Sequence, residues 1–412
     1  MRPMKDSGIE WIGCIPEGWR VSRVGNHFYF YSGDSLTNEE IKDDEGYPVY
    51  GANGIRGYYS HKNLQGVNIL LGRVGALCGN VHLVNEDIWV TEHALVAVQF
   101  GVDIDIGYAS LLFEAMNLRR YSKASAQPVI SSEVLRQLRI PIPPIKVQIN
   151  IYTYLNEKCS QIDSIIEMQE AIIEKLKEYK LSVITEAVTK GLDPNVEMKD
   201  SGIELIGDIP INWNITRLKY LLDDLIDCPH ETPNYTTMGT YYVVRTSDQD
   251  ITKLKTDEDM YRLNEEEYLH RIRRNSLDKD DIVYGREGSW GLASLIPESN
   301  KYCLGQRILQ MRCNTDSFIP SFAVCALSSR STYLQGSMDT IGSTASRVNI
   351  STIRNYFIPT PPLEEQKQIA DFICSKLEEI DALIARITRL TSLLNEYKKS
   401  LIYEVVTGKK EV

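Results

Sequence analysis

The stretch Met4–Trp19, MKDSGIEWIGCIPEGW, returns almost unchanged as MKDSGIELIGDIPINW at Met198–Trp213. A long phrase that recurs near the midpoint of a 412-residue chain indicates an internal duplication. The two halves should therefore share one architecture, and the rest of each half shows how far the repeat extends.

The repeat continues beyond this opening phrase, but its spacing grows inside the second copy. The offset is 194 residues at the opening phrase, 213 where GRVG (Gly72–Gly75) meets GREG (Gly285–Gly288), and 218 where IPIPP (Ile140–Pro144) meets IPTPP (Ile358–Pro362). The last offset then holds to the end of both copies. The sequence therefore predicts that the two copies share their ends and differ between them. The variable middle part is longer in the second copy.

Each copy ends in a segment typical of a coiled-coil helix. From Ile145 to Val188 the chain has no proline or glycine, and apolar residues recur at heptad spacing. Pro144 precedes this segment and Gly191 follows it, as expected at helix ends. A helix of about 44 residues is roughly 66 Å long. The predicted apolar rows are Leu155, Ile162, Leu176 and Val183 with Ile165, Ile172 and Tyr179 in the first copy, and Ile373, Ile380, Ile387, Leu394 and Leu401 with Leu383, Leu390 and Tyr397 in the second.

The two long helices, 145–190 and 363–412, are predicted to bury their apolar rows against each other. Duplicated halves that pack in this way acquire a pseudo-two-fold axis, so the helices should run antiparallel. The alternative is that each helix packs on its own globular segment. The globular segments, 1–144 and 191–362, mix short strands and helical patches with glycine and proline turns. The predicted fold is α+β, with two similar globular domains separated by an antiparallel coiled coil of two long helices.

Composition argues against several classes of protein. Hydrophobic residues make up 43% of the chain, and no apolar run is long enough to span a bilayer, so a soluble cytoplasmic protein without a signal peptide is expected. Eight cysteines occur without a CxxC pair, which argues against a zinc site and a disulfide framework. Phosphate loops, dinucleotide fingerprints, nucleophile elbows and HExxH patterns do not occur, so we expect no catalytic residues, metal or cofactor.

The net charge of −11 is unusual for a protein that binds nucleic acid, because phosphate neutralisation normally requires a basic surface. Charge is uneven along the chain, however. Arg271, Arg273 and Arg274 lie close together in the acidic second globular segment. A local positive surface on an acidic protein is therefore compatible with the sequence.

Several motifs, taken in order, resemble those of the specificity (S) subunit of Type I restriction-modification systems. The first copy carries DSGIEWIGCIPEGW, LLGRVG and IPIPPIKVQ, and the second carries DCPHETPNY, VVRTSD, CLGQR and IPTPPLEEQ. Each motif alone is loose, but their order and duplication are specific. The resemblance covers nearly the whole chain.

The resemblance implies a non-catalytic subunit that binds double-stranded DNA. Segments 1–144 and 191–362 would be target-recognition domains, each reading one half of an interrupted site, and the helices would set the gap between the halves. Modification subunits, two in number, would carry S-adenosylmethionine and methylate adenine. Restriction subunits would use ATP and Mg to translocate and cleave DNA. Two alternatives stay open: a coiled-coil scaffold that binds protein, and a specificity subunit of a fused restriction and methylation enzyme.

Loops at matching points of the two copies are the candidate DNA-binding sites, because base readout requires polar and basic side chains. Arg73 and Arg286 occupy the same place in the GRxG turns, between glycines that allow close approach of the backbone. Their shared identity favours phosphate contacts, and the alternative is a turn arginine paired with a local carboxylate. Residues that differ between the copies are better candidates for base recognition. These candidates are Asn53, Arg56, Arg245 and Ser247 at the 194-residue offset, His93 and Gln306 at the 213-residue offset, and Gln127 and Arg347. A buried core histidine is the alternative for His93, because a strand follows it.

Overall fold

The computed structural model describes residues 2–122, 128–255, 257–288, 290–338 and 347–412. The chain forms two compact units: the first contains Met1–Gln169 and Thr388–Val412, and the second contains Glu170–Ile387. Both boundaries fall inside the long helices. Each unit therefore combines one globular segment with a part of each helix.

The elements of the first copy run from the opening phrase to the first long helix. They are β1 (Met4–Asp6), β2 (Cys14–Pro16), β3 (Arg20–Arg23), β4 (Phe28–Ser32), β5 (Tyr47–Gly51), β6 (Gly54–Tyr59), β7 (Val67–Gly72), β8 (Val81–Asn85), β9 (Trp89–Val90), β10 (Ala94–Gln99), α1 (Ile106–Ala115), α2 (Ser132–Gln137), β11 (Arg139–Ile142) and α3 (Ile145–Lys190).

The second copy repeats this order with two further helices. Its elements are β12 (Met198–Asp200), β13 (Asp208–Pro210), β14 (Asn214–Arg217), β15 (Leu222–Asp227), β16 (Tyr241–Val244), β17 (Tyr261–Leu263), α4 (Glu265–Ile272), β18 (Ile282–Gly285), β19 (Ala293–Leu295), β20 (Tyr302–Leu304), β21 (Ile308–Cys313), α5 (Pro320–Leu327), α6 (Arg330–Ser337), α7 (Ile350–Arg354), β22 (Phe357–Thr360) and α8 (Leu363–Val406).

The sheets of the two units have the same topology, which confirms the duplication and the α+β class. A four-stranded antiparallel sheet has the order β4-β10-β7-β8 in the first unit and β15-β21-β18-β19 in the second. A three-stranded sheet has the order β6-β5-β9 or β17-β16-β20, with the last pair parallel. Each unit also has two two-stranded sheets. These are β1-β2 and β3-β11 in the first unit, and β12-β13 and β14-β22 in the second.

The repeated opening phrase binds the end of a long helix. In the first unit Trp19 is buried in one core with Leu401 and Val405 of α8, and in the second Trp213 is buried with Val188 of α3. Gly408, which follows α8 with a φ of 73°, has no room for a side chain, because a Cβ atom would lie 2.8 Å from the Trp19 ring. The phrase occurs twice because each unit receives one helix end.

The two long helices pair antiparallel within each unit, as the heptads predict. In the first unit Lys398 Nζ lies 2.7 Å from Asp163 Oδ2, and in the second Lys180 bonds Asp381. The 218-residue offset relates Asp163 to Asp381 and Lys180 to Lys398. One ion pair is therefore made twice, with the helices exchanging roles.

The second predicted apolar row is wrong on both helices. Ile165, Ile172, Tyr179, Leu383, Leu390 and Tyr397 are between 41% and 53% exposed. The buried companion of the Leu155 row instead contains Cys159, Ile166 and the buried Lys180. Because this row contains a lysine, a search for apolar heptads favours the apolar row beside it. The N-terminal part of α3 also packs into the core of its own globular segment, so the alternative packing is present as well.

A buried glutamine at the start of each long helix fixes the helix to its globule. Gln148 Nε2 donates to the carbonyls of Pro143 and Asp103 at 2.8 and 3.0 Å, and its Oε1 accepts from the backbone N–H of Asp105 at 2.7 Å. Gln366 makes the same three kinds of bond in the second unit. The network provides partners for half-buried backbone groups just before α1 and α5.

We predict that Gln148→Leu lowers the melting temperature, because it removes three hydrogen bonds to the backbone and leaves the carbonyl of Pro143 buried without a partner, at about 1–3 kcal/mol for that group. Thermal unfolding followed by circular dichroism measures the change. Gln161→Leu, on an exposed turn of the same helix, is the control and should change it little. Equal melting temperatures for the two variants would contradict this role of Gln148.

The Lys180–Asp381 pair predicts a pH dependence of stability. Burial alone would raise the pKa of Asp381, but hydrogen bonds from Lys180 and Lys253 outweigh it and hold that pKa below its ordinary value. A depressed folded-state pKa stabilises the fold above the ordinary value of about 4, and this stabilisation is lost as the pH falls through the folded value. The free energy of unfolding of wild type should therefore exceed that of Asp381→Asn at pH 7, and the difference should shrink below about pH 4.

Urea unfolding at several pH values measures this difference. Asp371→Asn, an exposed carboxylate on the same helix, is the control. A difference between wild type and Asp381→Asn that does not depend on pH would contradict the assignment.

Candidate nucleic-acid interface

Three segments meet at one end of the four-stranded sheet in each unit. In the first unit the N–H of Arg73 donates to the carbonyl of His93 at 2.9 Å, and the N–H of Ile130 donates to the carbonyl of Arg73 at 3.0 Å. We name the surface formed by 72–75, 91–93 and 128–130 the first turn surface. The GRxG turn lies at its centre because β7 ends there.

The second unit forms an equivalent surface from 285–288, 305–307 and 347–348. Here the N–H of Arg286 donates to the carbonyl of Arg307 at 3.1 Å, and the N–H of Val348 donates to the carbonyl of Arg286 at 3.0 Å. We name it the second turn surface. Two turns that are far apart in sequence therefore occupy the same place in the two folds.

The backbone bonds correct one sequence alignment. His93 corresponds to Arg307, and not to Gln306, because each is the acceptor for the GRxG arginine. One additional residue accumulates before β21 in the second copy, and a fixed offset of 213 misses it. The core alternative for His93 is also wrong, since its side chain is 45% exposed and its Nε2 lies 3.6 Å from Glu92 Oε1.

The two GRxG arginines have chemically different surroundings. Arg73 Nη1 donates to the hydroxyl of Ser32 at 2.9 Å. The side chain of Arg286 is only 8% exposed, and its Nη2 lies 3.2 Å from Asp227 Oδ2. The alternative of a local carboxylate partner therefore describes Arg286 and not Arg73. Within the described part of the chain, Arg286 Nε is buried without an acceptor.

The loops after β5 and β16 begin at the same place and then differ. In the first unit the chain turns back directly into β6, which leaves Asn53 and Arg56 exposed. Arg56 Nη2 donates to the side chain of Asn38 at 2.9 Å. The first unit therefore presents a short polar hairpin beside its turn surface.

In the second unit a 3₁₀ turn follows β16, because Arg245 and the buried Asp248 hold it together. Arg245 Nε and Nη2 donate to the Asp248 carboxylate at 2.8 and 2.6 Å, and the guanidinium lies 3.8 Å from the centre of the Tyr261 ring. Ser247 remains exposed, and its hydroxyl lies 3.3 Å from Asp248 Oδ1. The guanidinium of Arg245 is thus engaged within the protein, unlike that of an arginine poised for a base.

The other predicted residues of the second copy lie on or beside its turn surface. Gln306 Nε2 donates to Thr232 Oγ1 at 2.6 Å, which holds the amide in one orientation. Arg347 is exposed, and its backbone pairs with Glu287 of the GREG turn. Gln127 lies outside the described residues. The fold therefore brings together Arg286, Gln306 and Arg347, which are distant in sequence.

The arginine bunch at 271–274 is divided between interior and surface. The guanidinium of buried Arg271 donates to the carbonyls of Leu304 at 2.9 Å and Glu231 at 3.1 Å. Arg273 and Arg274 are exposed. Arg271 therefore fixes the loop before β16 to the end of β20, a role that a charge pattern could not have indicated.

The described residues contain no group of three or more His, Cys, Asp or Glu side chains that could hold a metal ion. Burial raises the pKa of Cys303 and Cys313 to about 12, so these thiols stay protonated at neutral pH. No helix among them is both long and apolar enough to cross a membrane.

Comparison with known proteins agrees with this arrangement. The family model for the Type I restriction modification DNA specificity domain matches twice, at residues 16–178 and 229–391. The specificity subunit of the Type I restriction enzyme MjaVIII from Methanocaldococcus jannaschii is 24% identical over 97% of this chain and 94% of its own length. That of EcoprrI from Escherichia coli is 42% identical over 123 residues, 30% of each protein.

A solved chain shares the fold over nearly its whole length. It comes from work on complex assembly and conformational transition of the type I R-M system, and it aligns with a TM-score of 0.69 at 14% identity, covering 96% of this chain and 99% of that one. The two family matches also follow the internal duplication. The chain therefore belongs to the Type I restriction modification DNA specificity domain family, and it is a non-catalytic DNA-recognition subunit of a Type I restriction-modification system.

Proposed function

We propose that the chain recognises a two-part, interrupted site in double-stranded DNA, and that each turn surface reads one half. The observation that carries this proposal is a pair of surfaces with the same backbone and different side chains. His93 stands where Arg307 stands, and Ser32 where Asp227 stands, around a shared arginine. Two surfaces that share a backbone and differ in their side chains are suited to recognising two different base sequences.

Within each surface, shared and differing residues would have different roles. Arg73 and Arg286 occupy one place in both copies, so they suit contacts to phosphate or the support of the turn. Gln306 suits base recognition, because an amide held by Thr232 still offers an acceptor and a second N–H, the pair that adenine requires. Arg307 and Arg347 add positive charge beside it.

The partners would be two modification subunits and the restriction subunits of the same system, assembled in the cytoplasm. S-adenosylmethionine would be bound by the modification subunits, and ATP with Mg by the restriction subunits. Support comes from the exposed apolar row, which occurs once on each helix at positions related by the 218-residue offset. Two equal surfaces suit two copies of one partner. The row contains Ile165, Ile172 and Tyr179 on α3, and Leu383, Leu390 and Tyr397 on α8.

Mapping methylated adenines tests the proposed recognition. The chain is co-expressed with its modification subunit, and the host DNA is read by single-molecule sequencing. A two-part motif with a fixed gap is expected. An assembled complex supplied with S-adenosylmethionine that produces no interrupted motif would contradict the proposal and would favour a scaffold that binds protein.

The exposed rows predict the stoichiometry of assembly. Ile172→Glu and Leu390→Glu are equivalent changes on α3 and α8, and each should remove one modification subunit, because a charge replaces apolar contact area. The double variant should retain none. Native mass spectrometry counts the subunits, and Ala171→Glu, on another exposed face of α3, is the control. Full assembly of the double variant would show that this row is not the docking surface.

A further inference from the structure

A cavity of about 250 Å³ in the second unit is surrounded by positive charge. Its walls are the loop 229–231 and the end of α4, with His270, Arg271, Arg273 and Arg274 facing it. We infer that this cavity binds a phosphate group of the DNA backbone, with Arg273 and Arg274 as its ligands. The inference rests on the proposed function, since it adds a contact to the half-site read by the second unit.

The charges around the cavity are poorly neutralised by the protein itself. Arg271 is engaged by backbone carbonyls, and Arg273 Nη1 lies 3.0 Å from His270 Nε2, which accepts its hydrogen bond. In the described part of the chain, neither Arg273 nor Arg274 has a carboxylate within 4.0 Å. The carboxylate-bearing residue of the lining is Glu231, whose carbonyl is bound to Arg271. Two adjacent guanidinium groups without a counterion attract an anion, and arginine suits phosphate through its paired N–H donors.

The cavity adjoins the second turn surface. Arg271 bonds the carbonyls of Glu231 and Leu304, and Leu304 lies two residues before Gln306. On the other side, His230 of the cavity lies 3.1 Å from Asp227 and 3.4 Å from Arg286, the central residue of the turn surface. A phosphate held in the cavity would therefore lie close to the second turn surface.

The first unit lacks the helix that precedes these arginines, among its described residues. Arg273 and Arg274 directly follow α4, which lies between β17 and β18, and no helix separates β6 from β7 in the first unit. On this inference, the additional residues of the second copy would supply a phosphate contact through a helix that has no counterpart between β6 and β7. The two halves of the site are expected to bind with unequal dependence on salt.

The test uses the complex assembled with the modification subunit and DNA that contains the mapped motif. Arg273→Gln combined with Arg274→Gln should weaken binding and lower the slope of log Kd against log salt by about one, as for loss of one phosphate contact. The methylated motif should stay unchanged. Lys219→Gln combined with Lys279→Gln removes two exposed charges from the same unit and is the matched control.

The outcomes separate this inference from the proposed function. An unchanged slope with an intact motif overturns the phosphate site alone, whereas the absence of any motif in wild type overturns the proposed recognition. A changed base in the motif would show that the arginines read bases instead. Wild type could also bind inorganic phosphate in the absence of DNA while the double arginine variant keeps the affinity of wild type for DNA. That result would identify a site for free phosphate and would also overturn the inference.

Discussion

An ion pair between the two long helices is made once in each unit, and it favours their antiparallel pairing. The partners are Asp163 with Lys398 and Lys180 with Asp381. If the helices ran parallel in the register of the repeat, aspartate would face aspartate and lysine would face lysine. Because the side chain of Lys180 is only 7% exposed, loss of its partner would leave a largely buried positive charge and destabilise the fold. The charges thus favour one direction and one register, in addition to the hydrophobic contacts.

Antiparallel pairing explains why the frame is repeated so closely while the interior varies. Each globular segment receives the start of one helix through a buried glutamine, Gln148 or Gln366, and the end of the other helix through a buried tryptophan, Trp19 or Trp213. These contacts restrict the sequence at both ends of each copy. The loops of the turn surfaces make none of them, so they are free to differ. The GRxG arginine, for example, bonds the hydroxyl of Ser32 in the first unit and the carboxylate of Asp227 in the second.

Much of this organisation could be predicted, and the errors have physical causes. The duplication, both helices and their direction follow from identities and periodicity in the chain. The second apolar row differs from the prediction because Lys180 interrupts the buried row. The partner of Lys180, Asp381, lies 201 residues away in sequence, where no local pattern indicates it. The same limit applies to Arg271, which looks like a surface charge and is instead bound by carbonyls of two other segments. Gln306 and Thr232 likewise meet only in the folded chain.

Separate reading by the two units is tested most directly by exchanging one of them. Residues 218–355, between β14 and β22, would be replaced by the matching segment of a relative whose methylated motif has been mapped. One half of the motif should become that of the relative, while the other half and the gap stay unchanged. A change in both halves, or in neither half of an assembled and active complex, would contradict recognition by two independent surfaces.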